Sequence, residues 1–126
     1  MDLYKTIARP LLFSCDAEWI HNRTLDAGAA LGSTHIGRML LRSLFGYRHH
    51  SLRCTVAGLH FANPLGLAAG FDKNGRAIQA IDALGFGSVE IGSVSAHPSA
   101  GNAKPRLFRL PADEAIVVNY GVPNEG

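Results

Sequence analysis

The 126-residue sequence contains little cysteine, little net charge and no long hydrophobic run. Cys15 and Cys54 are the only cysteines, which excludes a disulfide-rich secreted scaffold and predicts reduced, structural thiols. The first residues lack the basic stretch, apolar run and cleavage site of a signal peptide. No window approaches the roughly 18 apolar residues that a membrane-spanning helix needs. We therefore expect a cytosolic setting, in which any contact with a bilayer is made at its surface.

Charge is also scarce, and it is unevenly placed. Charged residues make up 17% of the chain and hydrophobic residues 47%, which is typical of a globular domain. The net charge is +2, but residues 1–60 hold seven Lys/Arg against four Asp/Glu. This basic half is either a solvated face or a contact for an anionic surface such as a membrane. Without interleaved basic and aromatic residues, nucleic-acid binding is not expected.

Three short amphipathic helices are predicted within residues 1–50. The first has an apolar residue at every fourth position, at Leu3, Ile7 and Leu11. The second is N-capped by Asp16 and ends near Gly28 or Gly32. The third ends at Gly46 and carries an apolar stripe, which consists of Ile36, Met39, Leu40 and Leu44. These apolar faces either pack on the rest of the protein or touch lipid or a lipid-soluble ligand.

Strand patterns begin near residue 51. A hairpin is predicted over residues 52–61, with its turn at Ala57-Gly58. Short apolar runs over 65–69 and 88–91 flank a helix over 76–84. Strand, helix and strand in this order form a βαβ unit, so the two strands should be parallel.

The sequence after Gly92 supplies a polar loop over 95–105 and candidate strands over 106–110 and 115–118. One βαβ unit leaves its sheet open, whereas parallel sheets are buried on both faces in stable proteins. We therefore expect this chain to be an N-terminal portion of a longer α/β fold.

Small residues crowd the carboxyl ends of the two predicted parallel strands, where βα architectures carry their sites. Ala69 and Gly70 on one strand, with Gly92 on the other, leave room for a planar ring against the backbone. Lys73 adds a positive charge for a carboxylate or an anionic ring, and Ser93 adds a hydroxyl. The same pattern also fits tight packing with a solvated Lys73, and the spacing does not separate the two interpretations.

Motifs of other sites fail on their structural context. Gly85-Phe-Gly87 begins like a dinucleotide fingerprint, but it precedes a strand, whereas that fingerprint must open a helix. No Gly-Lys-Ser/Thr of a P-loop is present. The pair His49-His50 has no carboxylate or cysteine at ligand spacing, so we interpret it as a basic surface patch and expect no metal site.

Four sequence runs together resemble the quinone-dependent (class 2) dihydroorotate dehydrogenases. They are CDAEWIHNRTL from Cys15, NPLGLAAGFDKNG from Asn63, LGFGSVEIGSV from Leu84 and GNAKPRLFRLPADEAIV from Gly101. The resemblance implies a TIM-type (β/α)8 barrel that carries FMN and follows a small N-terminal helical extension. Residues 1–50 would form a membrane-facing quinone entrance, and residues 51–126 the start of the barrel, truncated within this chain.

The implied activity is FMN-dependent oxidation of dihydroorotate to orotate, with a membrane quinone as acceptor, in de novo pyrimidine (UMP) biosynthesis. The implied location is peripheral, on the inner (cytoplasmic) face of the cell membrane. The flavin would be lined by Ala69, Gly70, Phe71, Asp72 and Ser93. The substrate would contact Lys73, Asn119, Tyr120 and Gly121. His21 and Arg38 would be contacts at the quinone entrance.

Residues 117–124 depart from the family's Ile-Asn-Arg-Met-Gly-Phe-Asn-Asn. Without a gap, the family's substrate-binding Asn falls on Val118, and a one-residue shift gives that role to Asn119. Tyr120 in place of Met adds bulk beside the ring. The family's catalytic Ser falls beyond Gly126, so no catalytic base is expected within this chain and it should be inactive alone. Two alternatives stay open: an FMN-barrel oxidoreductase with another small cyclic substrate, and a non-enzymatic, membrane-associating module.

Overall fold

The computed structural model describes residues 3–126, and its mixed helix and strand content confirms the predicted α/β class. The first part is helical, with a π-helical turn Tyr4–Ala8, then α1 Arg9–Phe13, α2 Ala17–Ser33, α3 His35–Phe45 and a 3-10 turn His50–Leu52. The second part contains β1 Cys54–Val56, β2 Leu59–Phe61, β3 Gly66–Leu67, α4 Ile78–Leu84, β4 Ser88–Val89, β5 Leu107–Leu110 and β6 Ala115–Val118. Over residues 3–126 the strands form three two-stranded sheets and no complete barrel.

A side-chain N-cap marks the start of each of the two longer N-terminal helices. The predicted N-cap of α2 is confirmed, because the Asp16 carboxylate accepts from the Trp19 N–H at 2.8 Å. The Thr34 hydroxyl accepts from the Gly37 N–H at 3.0 Å and starts α3. Of the two predicted ends of α2, Gly32 is within one residue of the observed end at Ser33, and Gly28 is five residues early.

Helix α3 turns its basic side, not its apolar stripe, toward α4. The Arg42 guanidinium pairs with Asp82 at 2.8 Å. The stripe faces outward, and its members Ile36, Met39, Leu40 and Leu44 are 73%, 57%, 49% and 65% exposed. Of the two predicted roles for this stripe, packing on the rest of the described chain is therefore not realised.

The predicted hairpin and parallel strand pair are both confirmed. Strands β1 and β2 are antiparallel around Ala57-Gly58, whose φ angles of 50° and 79° suit a tight two-residue turn. Strands β3 and β4 are parallel, with Gly66 opposite Ser88, although both are shorter than predicted. Strands β5 and β6 pair antiparallel, a pairing that the sequence patterns had not predicted.

Helix α4 joins β3 to β4 and begins two residues later than predicted, at Ile78. The delay arises because the Asp72 carboxylate accepts from the N–H groups of Arg76 and Ala77, at 2.9 and 2.7 Å. Gly85, with φ of 98°, ends the helix as predicted.

The core lies where α2 crosses α4 above the parallel strands. Leu25, Ala77 and Ile81 are its buried members, and Leu67, Phe86 and Val89 pack against them. The crossing is close, since a Cβ placed on Gly32 would lie 2.7 Å from the Ala80 nitrogen. This contact brings the polar side of α2 to the carboxyl ends of β3 and β4.

Candidate functional site

An open cleft of about 490 Å³ lies between α2, the loop that follows β3 and the segment that follows β6. The side chains that bear on its chemistry are Glu18, His21, Phe71, Lys73, Arg106 and Tyr120. Arg106 comes from the segment before β5, so four separate parts of the chain contribute to one concave surface, which is typical of ligand sites.

Lys73 lies half-buried at the end of β3, where the sequence predicted a positive charge. Its ammonium donates to the Gly70 carbonyl at 2.8 Å and lies 4.1 Å from the centroid of the Tyr120 ring. Burial lowers the Lys73 pKa, and the negative charge of Glu18 works in the opposite direction. One of its three N–H donors is used on Gly70, which leaves two for a ligand.

A buried ion pair joins α2 to the start of β5. Arg106 donates from Nε to both carboxylate oxygens of Glu18 at 3.2 Å and from Nη2 to Oε1 at 2.7 Å. The two residues are 8% and 7% exposed, and the Lys104 ammonium adds a contact at 3.3 Å. The Arg106 hydrogen bonds lower the pKa of Glu18, and Glu18 in turn raises the Arg106 pKa.

The Tyr120 ring contacts two cations of the cleft, Lys73 and Arg106. The Arg106 guanidinium carbon lies 5.2 Å from the ring centroid, and the Lys73 ammonium lies 4.1 Å from it. Burial raises the pKa of the Tyr120 hydroxyl. Cations over an aromatic face are attracted by its quadrupole, so the ring links the two charges.

Most of the predicted cofactor residues line an exposed edge with few side chains. Ala69, Gly70 and Ser93 are exposed, and a Cβ placed on Gly70 would meet nothing within 4 Å. Gly70 has φ of 108°, which favours glycine. The Gly92 N–H donates to the Lys73 carbonyl at 3.1 Å and ties the two strand ends together. This open backbone fits a planar ring.

Asp72 and Phe71 differ from their neighbours along this edge. Asp72 is 1% exposed and directs its carboxylate to the start of α4, so its side chain does not face the edge. The Phe71 ring makes an edge-on contact with the His21 ring, at 5.1 Å between centroids. Phe71 therefore stands between the predicted cofactor edge and the cleft.

The four predicted substrate residues fall into two groups. Lys73 and Tyr120 are in contact, as described above. The Asn119 side chain instead accepts a hydrogen bond from the Asn102 amide at 2.8 Å. Gly121, with φ of 68°, also packs against Asn102. The structure therefore brings the second pair to the polar loop over 95–105 and not to the ammonium.

The two predicted quinone-entrance residues do not lie together. His21 lines the cleft, and burial lowers its pKa. Arg38 points toward α4, where it donates to the Gly32 carbonyl at 2.6 Å and to the Gln79 side chain at 3.1 Å.

A second, less polar cleft of about 330 Å³ lies between the N-terminal helical turns and the β5–β6 hairpin. Tyr4, Phe13 and Ile116 line it together with Arg109. The Arg109 guanidinium lies 4.6 Å from the Phe13 ring centroid and donates to the Cys15 carbonyl at 2.8 Å. Within residues 3–126, no helix is both long and apolar enough to cross a bilayer.

The roles of Glu18, Arg106 and Asn124 were not predicted from the sequence. Glu18 lies at helical spacing from His21 and from buried Leu25, so a polar pair on the inward face of α2 was an available signal. Asn124 is 8% exposed and accepts from the Ser95 hydroxyl at 2.7 Å. No sequence pattern indicated that contact, because the two residues are far apart along the chain.

Several known proteins are similar to this chain in sequence and in fold. A family model described as dihydroorotate dehydrogenase matches residues 51–126. The chain is 51% identical over its full length to a dihydroorotate dehydrogenase (quinone) of Gloeobacter violaceus and covers 35% of that relative. A protein of the same name from Acidithiobacillus ferrooxidans is 48% identical over 95% of the chain, which covers 33% of it. The chain thus spans about a third of the length of the curated relatives it matches.

Solved structures give a similar result. The Eimeria tenella DHODH in complex with ferulenol is 35% identical, with a TM-score of 0.73. The match covers 88% of this chain and 27% of that one. The ligand-free enzyme from the same organism is 38% identical with a TM-score of 0.58, over 72% of this chain and 26% of that chain.

Proposed function

The chain belongs to the dihydroorotate dehydrogenase family, and we propose that the protein is a quinone-dependent dihydroorotate dehydrogenase of de novo pyrimidine (UMP) biosynthesis. In the proposed reaction, dihydroorotate gives up two electrons and two protons and becomes orotate. A membrane quinone takes up both and becomes the hydroquinone. FMN, when bound, supplies the redox centre that connects the two half-reactions.

The proposed FMN site is the exposed edge at the carboxyl ends of β3 and β4. Ala69, Gly70 and Ser93 would lie against the cofactor, with Phe71 beside them. Asp72 would contribute only its main chain, because its carboxylate caps the start of α4. We propose that β3, α4 and β4 belong to a TIM-type (β/α)8 barrel, in which this end of the strands carries the site.

The observation that carries the proposal is the position of Lys73. Its ammonium is held at the end of β3 by Gly70 and Tyr120, at the border between the small-residue edge and the cleft. A substrate with a carboxylate could pair with this charge while its ring lies beside the edge. Such charge-assisted contacts fix orientation as well as affinity.

The proposed quinone entrance is the less polar cleft beside the N-terminal helices. Its lining is partly aromatic, and the apolar stripe of α3, in the same helical part of the chain, is exposed. A lipid-soluble quinone would reach it from a bilayer on which these helices lie. We propose a peripheral location on the inner face of the cell membrane.

The test is spectroscopic. The protein in its natural form should purify under native conditions with a bound yellow flavin. Anaerobic addition of dihydroorotate should bleach the flavin absorbance, and a soluble quinone analogue should restore it. The absence of flavin, or a flavin that dihydroorotate cannot bleach, would contradict the proposal.

A second candidate keeps the flavin barrel but changes the substrate. It is favoured by the positions of Asn119 and Gly121, which lie on Asn102 and not beside Lys73. Other small cyclic acids and amides would then bleach the flavin faster than dihydroorotate does. Parallel assays of these compounds decide between the two candidates.

A further inference from the structure

We propose that Glu18, on the N-terminal helix α2, is a positioning residue for the site lysine: through Arg106 it fixes the Tyr120 ring against which the Lys73 ammonium is held. The inference deepens the proposed function and rests on it only for the identity of the anion that Lys73 receives. A series of contacts that runs from α2 to the end of β3 supports it.

The first link is the guanidinium of Arg106, in which each of the three nitrogens donates a hydrogen bond. Nε and Nη2 donate to the Glu18 carboxylate. Nη1 donates to the carbonyls of Ala100 and Asn102, at 2.6 and 2.9 Å. A guanidinium held by four oxygens, two from one carboxylate and two from carbonyls, is restrained from rotating, so its face is a rigid surface.

The second link is Tyr120, which rests on that surface. Its ring centroid lies 5.2 Å from the guanidinium carbon and 4.1 Å from the Lys73 ammonium. Lys73 has a flexible four-carbon side chain, and within residues 3–126 two contacts hold its ammonium, the ring and the Gly70 carbonyl. Displacement of the ring would therefore free the ammonium to move.

Glu18 also acts on Lys73 through its charge. The charged and titratable groups around the lysine are Glu18 and His21 of α2, Asp72 of its own loop, Lys104, Arg106, Tyr120 and the nearby Glu125. Glu18 raises the Lys73 pKa, whereas Arg106 lowers it. Neutralising Glu18 leaves the Arg106 charge unopposed, so the Lys73 pKa should fall.

The experiment measures the position of Lys73 by NMR in the protein labelled with ¹³C,¹⁵N-lysine. The Lys73 signals are assigned by their disappearance in K73M. The Tyr120 ring should shift the Lys73 ε-protons upfield in the wild type, because they lie over its face. E18Q should reduce that shift and lower the Lys73 pKa. D82N is the matched control, since it breaks the Arg42–Asp82 pair, which does not reach Tyr120.

A double variant, E18M/R106M, keeps the test decisive if E18Q does not fold. Replacing both members of a buried ion pair by apolar residues is often tolerated, whereas removing one leaves a buried charge unpaired. This variant should also reduce the upfield shift, because Tyr120 loses its rigid support. If E18Q folds and its upfield shift equals that of the wild type, the inference is overturned. If E18Q does not fold, the same result in the double variant overturns it.

Substrate affinity separates this inference from the proposed function. In a flavin-loaded protein, E18Q should raise the KM for dihydroorotate about 3- to 30-fold, the range expected when a cation loses an aromatic contact. A protein that oxidises dihydroorotate but keeps the Lys73 shift in E18Q refutes this inference alone. A protein that does not oxidise dihydroorotate but loses the shift refutes the proposed function alone.

Discussion

Among single residues, Lys73 connects the two parts of the candidate site. Its backbone carbonyl accepts from Gly92 at the end of β4, and its side chain turns toward the cleft. A side chain added at Gly92 would lie 2.9 Å from the Lys73 Cα, so this glycine is required for the approach. The position of the charge thus depends on a backbone contact as well as on the lysine itself.

Removing the Lys73 charge should weaken substrate binding. K73M should raise the KM for dihydroorotate about 10- to 100-fold, because a hydrogen-bonded charge is lost. K73R should raise it less, since a cation remains. K104M is the control, as it removes another lysine of the same cleft that contacts Glu18. Steady-state kinetics check the result, and equal effects of K73M and K104M would contradict the assignment.

At the scale of helices and strands, the crossing of α2 over α4 sets the geometry of the cleft. Gly28 and Gly32 of α2 face Ala77, the N-cap of α4, and Ala80 within α4, so the two helices approach closely. This approach brings Glu18 and the other polar residues of α2 over the strand ends. A wider crossing would separate them from Arg106.

Substitutions at the two glycines should therefore differ. A Cβ at Gly32 would lie 2.7 Å from the Ala80 backbone nitrogen, whereas one at Gly28 would lie 3.2 Å from the Ala77 methyl group. We expect G32A to destabilise the protein by about 1–3 kcal/mol, because backbone cannot move aside. G28A is the matched comparison and should cost less. Thermal unfolding measures both, and equal shifts in Tm would contradict the expectation.

The outward stripe of α3 predicts membrane contact. L40S/L44S should reduce flotation with anionic liposomes, because it removes two exposed apolar side chains from the stripe. The matched control is V56S/L59S, which removes two similarly exposed apolar side chains from the β1–β2 hairpin. Equal flotation of the two variants would show that the stripe is not the contact.

At the scale of the whole molecule, the Glu18–Arg106 ion pair connects helix α2 to the segment that leads into β5. It joins residues 88 positions apart and is buried at both ends. The pKa of Glu18 is lowered in the folded state, chiefly by the Arg106 hydrogen bonds. Its contribution to stability is therefore complete above the unfolded-state value of 4.5 and is lost as the pH falls through the lower folded-state pKa.

This linkage predicts how stability varies with pH. E18Q should be less stable than the wild type at pH 7 by about 3–5 kcal/mol, because Arg106 is left buried without its partner. The difference should narrow below pH 4.5, as the wild type loses the same interaction by protonation. Urea unfolding between pH 3 and 7 measures it. A difference that stays constant across this range would contradict the role of the pair.

The sequence by itself determined the local structure and the type of site. The Asp16 cap, the Ala57-Gly58 turn and the parallel strand pair follow from short-range chemistry and from periodicity, which act over a few residues. The small residues and the lysine at the strand ends were likewise visible as a pattern.

Only the tertiary structure decided which side chains meet. The contact of Glu18 with Arg106 joins segments far apart in the sequence, and the outward direction of the α3 stripe depends on how α3 packs on α4. The β5–β6 pairing joins neighbouring strands that the sequence patterns had not paired. The direction of the Asp72 carboxylate is instead a local result that the sequence patterns did not indicate, because it accepts from N–H groups only four and five residues further along the chain. A buried polar group such as the Glu18 carboxylate can pair with partners from several distant parts of the chain. A local sequence pattern does not determine which of these partners it meets.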